Sequence, residues 1–199
     1  MHLGCIVIRQ SVALSSCGGH GILDIKKRTI PLYKRVGQIL SIFEFGDILS
    51  MKIALKEITE QNKQECFALS VSPAQSEYIA SNENSLKEAQ ENPEVARPFA
   101  IYADDKMIGV TMFAWDENNE DPEDKYWLWR FMIDKSLQGK GYGHLALKEI
   151  IQYFKDNGAD IITLSTKESN KKALSLYHQF GFKENGEMND EEIVLKLYL

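Results

Sequence analysis

Three glycines in five residues, Gly139, Gly141 and Gly143, close the stretch Asp134-Lys135-Ser136-Leu137-Gln138-Gly139-Lys140-Gly141-Tyr142-Gly143. Glycine lets the backbone curl until successive N–H groups converge. With a helix N-terminus behind them, those donors form an anion site suited to a pyrophosphate. The candidate ligand-binding residues are therefore Gln138, Gly139, Lys140, Gly141, Tyr142 and Gly143. The spacing narrows the ligand. A P-loop needs G-x-x-x-x-G-K-[ST], which this stretch lacks. A dinucleotide fingerprint needs a third glycine at the position of His144. What remains is Q-x-x-G-x-G, at Gln138, Gly141 and Gly143. An isolated G-x-G reads as an ordinary turn; a strand before it and a helix after it favour a bound ligand.

The flanking pattern supplies both. Tyr126–Asp134 is an aromatic-rich strand, and Leu147, Ile150, Ile151 and Phe154 follow the i, i+3, i+4, i+7 spacing of an amphipathic helix. Upstream, Lys52–Lys56 reads as a strand, Thr59 as the cap of a helix through about Leu69, and Ser85–Glu91 as a second helical stretch. Phe99–Ala103 and Met107–Phe113 alternate as strands around a turn at Asp104-Asp105-Lys106. Downstream, Asp160–Thr166 is strand-like, Ala173, Leu176, Tyr177 and Phe180 repeat the helical spacing, and Ile193–Leu199 closes with a strand. This order predicts an α/β (α+β) domain with a mixed central sheet flanked by helices.

Two motifs carry a family resemblance. Gln138–Gly143 resembles the acetyl-CoA pyrophosphate loop of the GNAT N-acetyltransferases. Asn170-Lys171-Lys172-Ala173-Leu174-Ser175-Leu176-Tyr177-His178-Gln179-Phe180-Gly181-Phe182 resembles that family's N-x-x-A-x-x-L-Y-x-x-x-G-F signature. The likeness covers residues 51–199 and implies the GNAT acyl-CoA N-acyltransferase fold, with acetyl-CoA as co-substrate and no metal. Val71–Ile79, Trp127–Asp134 and Glu184–Glu187 are similar to the bacterial spermine/spermidine (diamine) acetyltransferase branch. Some members of that branch carry an aspartate where this chain has Trp129, a departure that bears on the amine acceptor and not on acetyl-CoA. The resemblance also allows a homodimer, since dimers are common in the family.

Acetyl transfer from a thioester to an amine requires a neutral amine, a polarised carbonyl, a stabilised tetrahedral intermediate and a proton or donor for the leaving thiolate. The resemblance implies that the strand before the glycine loop splays from its neighbour, so that Phe131, Met132 and Ile133 offer backbone N–H groups to the cofactor. Such preorganised donors contribute roughly 3 kcal/mol to a transition state. Tyr177 is the candidate general acid, because a phenol with a pKa of about 10 keeps its proton at neutral pH. Spacing alone would make it a core residue. Asn170 reads as a helix cap that also reaches the pantetheine arm. No general base stands out. Asp116, Glu117, Glu120, Asp121, Glu123 and Asp124 form either a solvated run or a device that attracts a polycation, and Glu77 and Tyr78 are candidates for the acceptor side. His144 and His178 read as helix-surface residues. Three readings stay open: an acetyltransferase for a small polyamine or diamine, one for a protein or another small amine, and a non-catalytic acyl-CoA-binding regulatory module.

Composition bounds these readings. The 199 residues are 44% hydrophobic and 26% charged, a globular balance. The net charge of -6 argues against a nucleic-acid partner. No apolar run reaches the length of a membrane span. Cys5, Cys17 and Cys66 show neither zinc spacing nor a disulfide framework, which points to a reducing, cytoplasmic setting. Residues 1–50 hold six basic and three acidic residues, a net of +3, which leaves -9 for residues 51–199. They read as a poorly structured extension. A translation start at Met51 is the favoured explanation, beside a lipoprotein signal ending at Cys17 and a small added module.

Overall fold

A computed structural model describes residues 51–199; the expectations for residues 1–50 lie outside the described residues. Seven strands form one sheet, in the order β1-β2-β3-β4-β5-β7-β6. They are β1 (Ile53–Glu57), β2 (Ala96–Ala103), β3 (Lys106–Trp115), β4 (Tyr126–Ile133), β5 (Ile161–Thr166), β6 (Lys183–Asn189) and β7 (Glu192–Tyr198). The helices are α1 (Lys63–Ala68), α2 (Asn82–Glu91), α3 (Tyr142–Asp156) and α4 (Lys171–Gln179). Every neighbouring pair is antiparallel except β4 and β5. This is the mixed sheet flanked by helices that the pattern implied.

Alternation along β3 shows how the sheet is covered. Ile108 joins a large core with Leu147, Ile150 and Phe154 of α3 and Leu174 and Tyr177 of α4. Its neighbour Met107 joins a smaller core with Cys66 of α1 and the partly buried Leu86 of α2. Successive strand residues face opposite sides, so α3 and α4 cover one face and α1 and α2 the other. Cys66 is fully buried, and burial pushes its thiol up to about 11.

Three local details differ from the sequence pattern. The first helix begins at Lys63, because Asn62 bends Thr59–Asn62 into a turn: its Oδ1 accepts from the Thr59 N–H at 2.7 Å and its Nδ2 donates to the Glu57 carbonyl. The second helix begins earlier, at Asn82, where the Ser81 hydroxyl oxygen accepts from the Asn84 N–H. Strand β6 was not expected. Its residues are all exposed, so the chain KENGEMN shows no buried alternation to read.

The acidic run between β3 and β4 is tied to the sheet. Lys196, only 4% exposed, donates to Glu123 Oε2 at 2.5 Å and pairs with Glu187 at 3.1 Å. Tyr198 donates to Glu123 Oε1, and the Thr163 hydroxyl donates to the Glu123 carbonyl. Asp116 and Asp121 turn their carboxylates to the N–H groups of Asn118 and Glu123. Half of the six carboxylates are thus engaged locally, which leaves Glu117, Glu120 and Asp124 to face solvent or a ligand.

At Gly109, β3 and β4 approach so closely that an added Cβ would lie 2.2 Å from the Met132 carbonyl oxygen. We expect Gly109→Ala to push β4 out of register and lower the unfolding free energy by about 1–3 kcal/mol, measured by urea denaturation.

Candidate active site

Strand β4 is fully paired on one side only. Its register with β3 runs from Gly109↔Ile133 to Trp115↔Tyr126, whereas its register with β5 is the single pair Trp127↔Thr163. The reason lies at Trp129. Pairing jumps from Met112↔Arg130 to Phe113↔Leu128, so Trp129 is the extra residue of a bulge. A bulge bends its strand, and here it swings the second half of β4 away from β5. Arg130 clamps the bulge: Nη1 donates to the Trp129 carbonyl and Nη2 to Glu88 of α2, both at 2.9 Å.

The parting opens a cleft of about 610 Å³. Trp127 through Ile133 form one wall, and Ser165, Thr166, Asn170, Ala173, Leu176 and Tyr177 form the other. The Asp134 N–H donates to the Ile108 carbonyl at 2.9 Å. Antiparallel pairing alternates, so the Met132 N–H also points into the β3 ladder, while those of Phe131 and Ile133 point toward the cleft. The expectation of three backbone donors narrows to two, with Met132 packed in the smaller core.

The glycine loop begins where β4 ends. Asp134 is buried, and its carboxylate accepts from the Ser136 N–H and hydroxyl and from the Ser70 N–H. Burial raises the affinity of Asp134 for its proton, but the Ser136 and Ser70 bonds prevail and hold the carboxyl below its ordinary range. The Gln138 side chain is spent on the protein, its Nε2 donating to the Ile133 carbonyl at 2.9 Å. Gly139 and Gly141 have φ of +76° and +89°, the left-handed region that favours glycine. A Cβ at either would meet nothing within 4 Å, so both open onto free space. Gly141 is the N-cap of α3, and Gly143 packs near Leu176. Gln138, Gly139 and Gly143 line the cleft; Lys140, Gly141 and Tyr142 lie on the same loop outside that lining.

Across the cleft, Asn170 caps α4, accepting from the Ala173 N–H and donating to Thr166 Oγ1. Tyr177 is 8% exposed, with its ring 5.7 Å from that of Phe182. Burial first, and the Glu192 carboxylate second, push its phenol well above the ordinary tyrosine range. Glu77 and Tyr78 also line the cleft. His144 stacks at the surface on Phe180, and exposed His178 lies 3.6 Å from Glu184. Ser165, Asn189 and Glu192, which no sequence motif marks, are brought to the same cleft by the topology. Single polar residues at strand ends carry no periodic signal. Among the described residues, no group of three metal-ligating side chains converges, and no helix is long and apolar enough to cross a membrane.

A family model for the acetyltransferase (GNAT) family matches residues 56–182. This chain belongs to that family. Acetyl-CoA-dependent N-acetyl transfer, the chemistry of that family, is therefore this chain's chemistry. A probable spermine N(1)-acetyltransferase of Bacillus subtilis subsp. natto (strain BEST195) is 36% identical over 153 residues, covering 73% of this chain and 99% of that protein. A spermine/spermidine N(1)-acetyltransferase of Bacillus subtilis (strain 168) is 35% identical over the same length and coverage. The fold is also that of a spermidine N-acetyltransferase from Vibrio cholerae solved with CoA and spermine: TM-score 0.56, 18% identity, 74% of this chain and 94% of that one.

Because the native Asp134 carboxyl is held below its ordinary value, its bonds stabilise the fold above the unfolded pKa of about 4. That contribution is lost as pH falls through the lower native value. Asp134→Asn should therefore lower stability at neutral pH and flatten its decline in acid, measured by urea unfolding at a series of pH values.

Proposed function

We propose that this GNAT enzyme acetylates a primary amine of a polyamine or diamine such as spermine or spermidine, by direct attack in a ternary complex. The observation that carries the reading is the Tyr177 phenol in a cleft whose opposite wall is a strand edge with free N–H donors. Acetyl-CoA supplies an acetyl group activated as a thioester. The Phe131 and Ile133 N–H groups hold its arm along β4, and Met132 packs behind them. The loop from Gln138 through Gly139, Lys140, Gly141, Tyr142 and Gly143 receives the pyrophosphate at the N-terminus of α3, where backbone N–H groups favour an anion. Asn170 sets the start of α4 and so the height of Tyr177. Tyr177 gives its proton to the departing sulfur. Burial keeps the phenol in its protonated form at neutral pH, and after donation it regains a proton from the ammonium that the attack leaves on the new amide nitrogen.

The acceptor assignment draws on the two Bacillus relatives and on the cleft itself. The Tyr78 and Trp127 rings line the cleft, and aromatic faces attract ammonium groups; the Trp129 ring already carries the Arg130 guanidinium, 5.3 Å from its centroid. Glu117, Glu120 and Asp124 add negative charge at the start of β4, which draws a polycation toward the site. Trp129, where some members of the branch carry an aspartate, brings no negative charge of its own to the acceptor. The cytoplasm is the compartment this reading implies.

Coenzyme A release by the full chain with spermine, spermidine, putrescine, a lysine peptide or no acceptor tests the assignment. Release with the polyamines is expected. Release with the peptide alone would make the protein a protein acetyltransferase, and silence with every acceptor despite intact acetyl-CoA binding would favour the regulatory module. Tyr177→Phe should lower kcat by about 100-fold while calorimetry shows acetyl-CoA affinity little changed; an unaltered rate would remove Tyr177 from the chemistry.

A further inference from the structure

We propose that Glu192 is the carboxylate that receives the ammonium group of the acceptor, an acceptor subsite built from Glu192, Ser165 and Asn189 and set beside Tyr177. The inference rests on the acetyltransferase reading and names the residue that takes the amine.

Topology brings these groups together from separate strands. On β7, Leu195 and the partly buried Ile193 and Leu197 join the core under α3 and α4. Alternation turns Glu192, Val194 and Lys196 to the other face. On β5, Ile162 and Leu164 join the same core, so Ser165 shares the face of Glu192. Thr166↔Ile193 and Ser165↔Val194 are paired positions, which sets the start of β7 against the end of β5 where that strand has parted from β4. Tyr177 approaches this gap from the α4 side. All four residues line one cleft with Trp127, Trp129 and Tyr78.

The carboxylate is held in place. The Ser165 hydroxyl donates to Glu192 Oε2 at 2.5 Å, and the Asn189 amide donates to the Ser165 oxygen at 3.5 Å. Ser165 fixes one carboxylate oxygen, which leaves Oε1 to accept from a ligand. No lysine or arginine forms an ion pair with Glu192 among the described residues. The contrast with Glu123 and Glu187 is direct: those two are engaged by Lys196. Glu192 is thus a half-buried, oriented and unneutralised carboxylate on the cleft wall. Its charge also acts on the Tyr177 phenol, which places the two groups within electrostatic reach. An ammonium paired with Glu192 therefore sets the acceptor in the part of the cleft where Tyr177 stands, beside the Tyr78 and Trp127 rings; the nitrogen that attacks the thioester does so as the neutral amine, once its proton has passed to solvent.

Glu192→Gln keeps the shape and the acceptor atom for Ser165 while removing the charge. Spermine binding to the full chain, measured by calorimetry without acetyl-CoA, should weaken by about tenfold or more, as expected for losing a charge-assisted bond. KM for cationic acceptors should rise by a similar factor, with CoA affinity unchanged as the control for folding. Glu77→Gln, elsewhere in the cleft lining, should have the smaller effect. Spermine affinity and KM within twofold of the parent, with CoA binding intact, would overturn the proposal. If the parent enzyme ignores polyamines but acetylates another cationic amine, a rise in KM for that amine in Glu192→Gln still supports the subsite and only the polyamine assignment fails. If the only acceptors are uncharged, or Glu192→Gln leaves their KM and that of every cation unchanged, the subsite fails.

Discussion

The site depends on a strand that keeps one full neighbour and gives up the other. A backbone N–H buried without a partner is costly, so β4 can part from β5 only where something else, water or a ligand, meets the freed donors. The bulge at Trp129 creates the parting, and the close approach at Gly109 ensures that β4 stays bound to β3 while it leaves β5. The same gap joins the two faces of the sheet. Tyr177 packs in the core beneath α3 and α4 with Leu128 and Ile133, yet lines the same cleft as Ser165 and Glu192, which stand on the opposite face.

Asp134 couples this strand to the glycine loop and to the segment after α1. It takes the Ser136 donors from the loop and the Ser70 N–H from across the sheet, while the Lys135 N–H returns a bond to the Ser70 carbonyl. The loop therefore leaves β4 at an angle fixed by these bonds, and it turns through the left-handed region at Gly139 and Gly141. A loop already shaped has less freedom to lose on binding.

Much of this was legible because local rules sufficed. The helical spacing of Leu147, Ile150, Ile151 and Phe154, the alternation of β2 and β3 and the glycine spacing each report on a few neighbouring residues, and the family resemblance joined them into one fold. What stayed hidden was non-local. Strand β6 has no buried face and exists because β7 offers it a ladder. The Trp129 bulge follows from pairing with β3, which no run of residues in β4 announces. The Met132 N–H direction depends on that same register. Gln138 belongs to a motif that suggests a ligand, yet its side chain closes on Ile133. Glu192 and Ser165 lie 27 positions apart and meet only because β5 and β7 pair.

The buried ammonium of Lys196 has a further consequence. It joins three pieces of chain, two of which form the terminal hairpin: the acidic loop through Glu123, strand β6 through Glu187, and its own strand β7. Opening any one of them would leave a charge facing the interior with fewer partners, and such a charge is expensive. The loop and the terminal hairpin are therefore a single cooperative unit, and a fluctuation in one is transmitted to the other without a connecting helix.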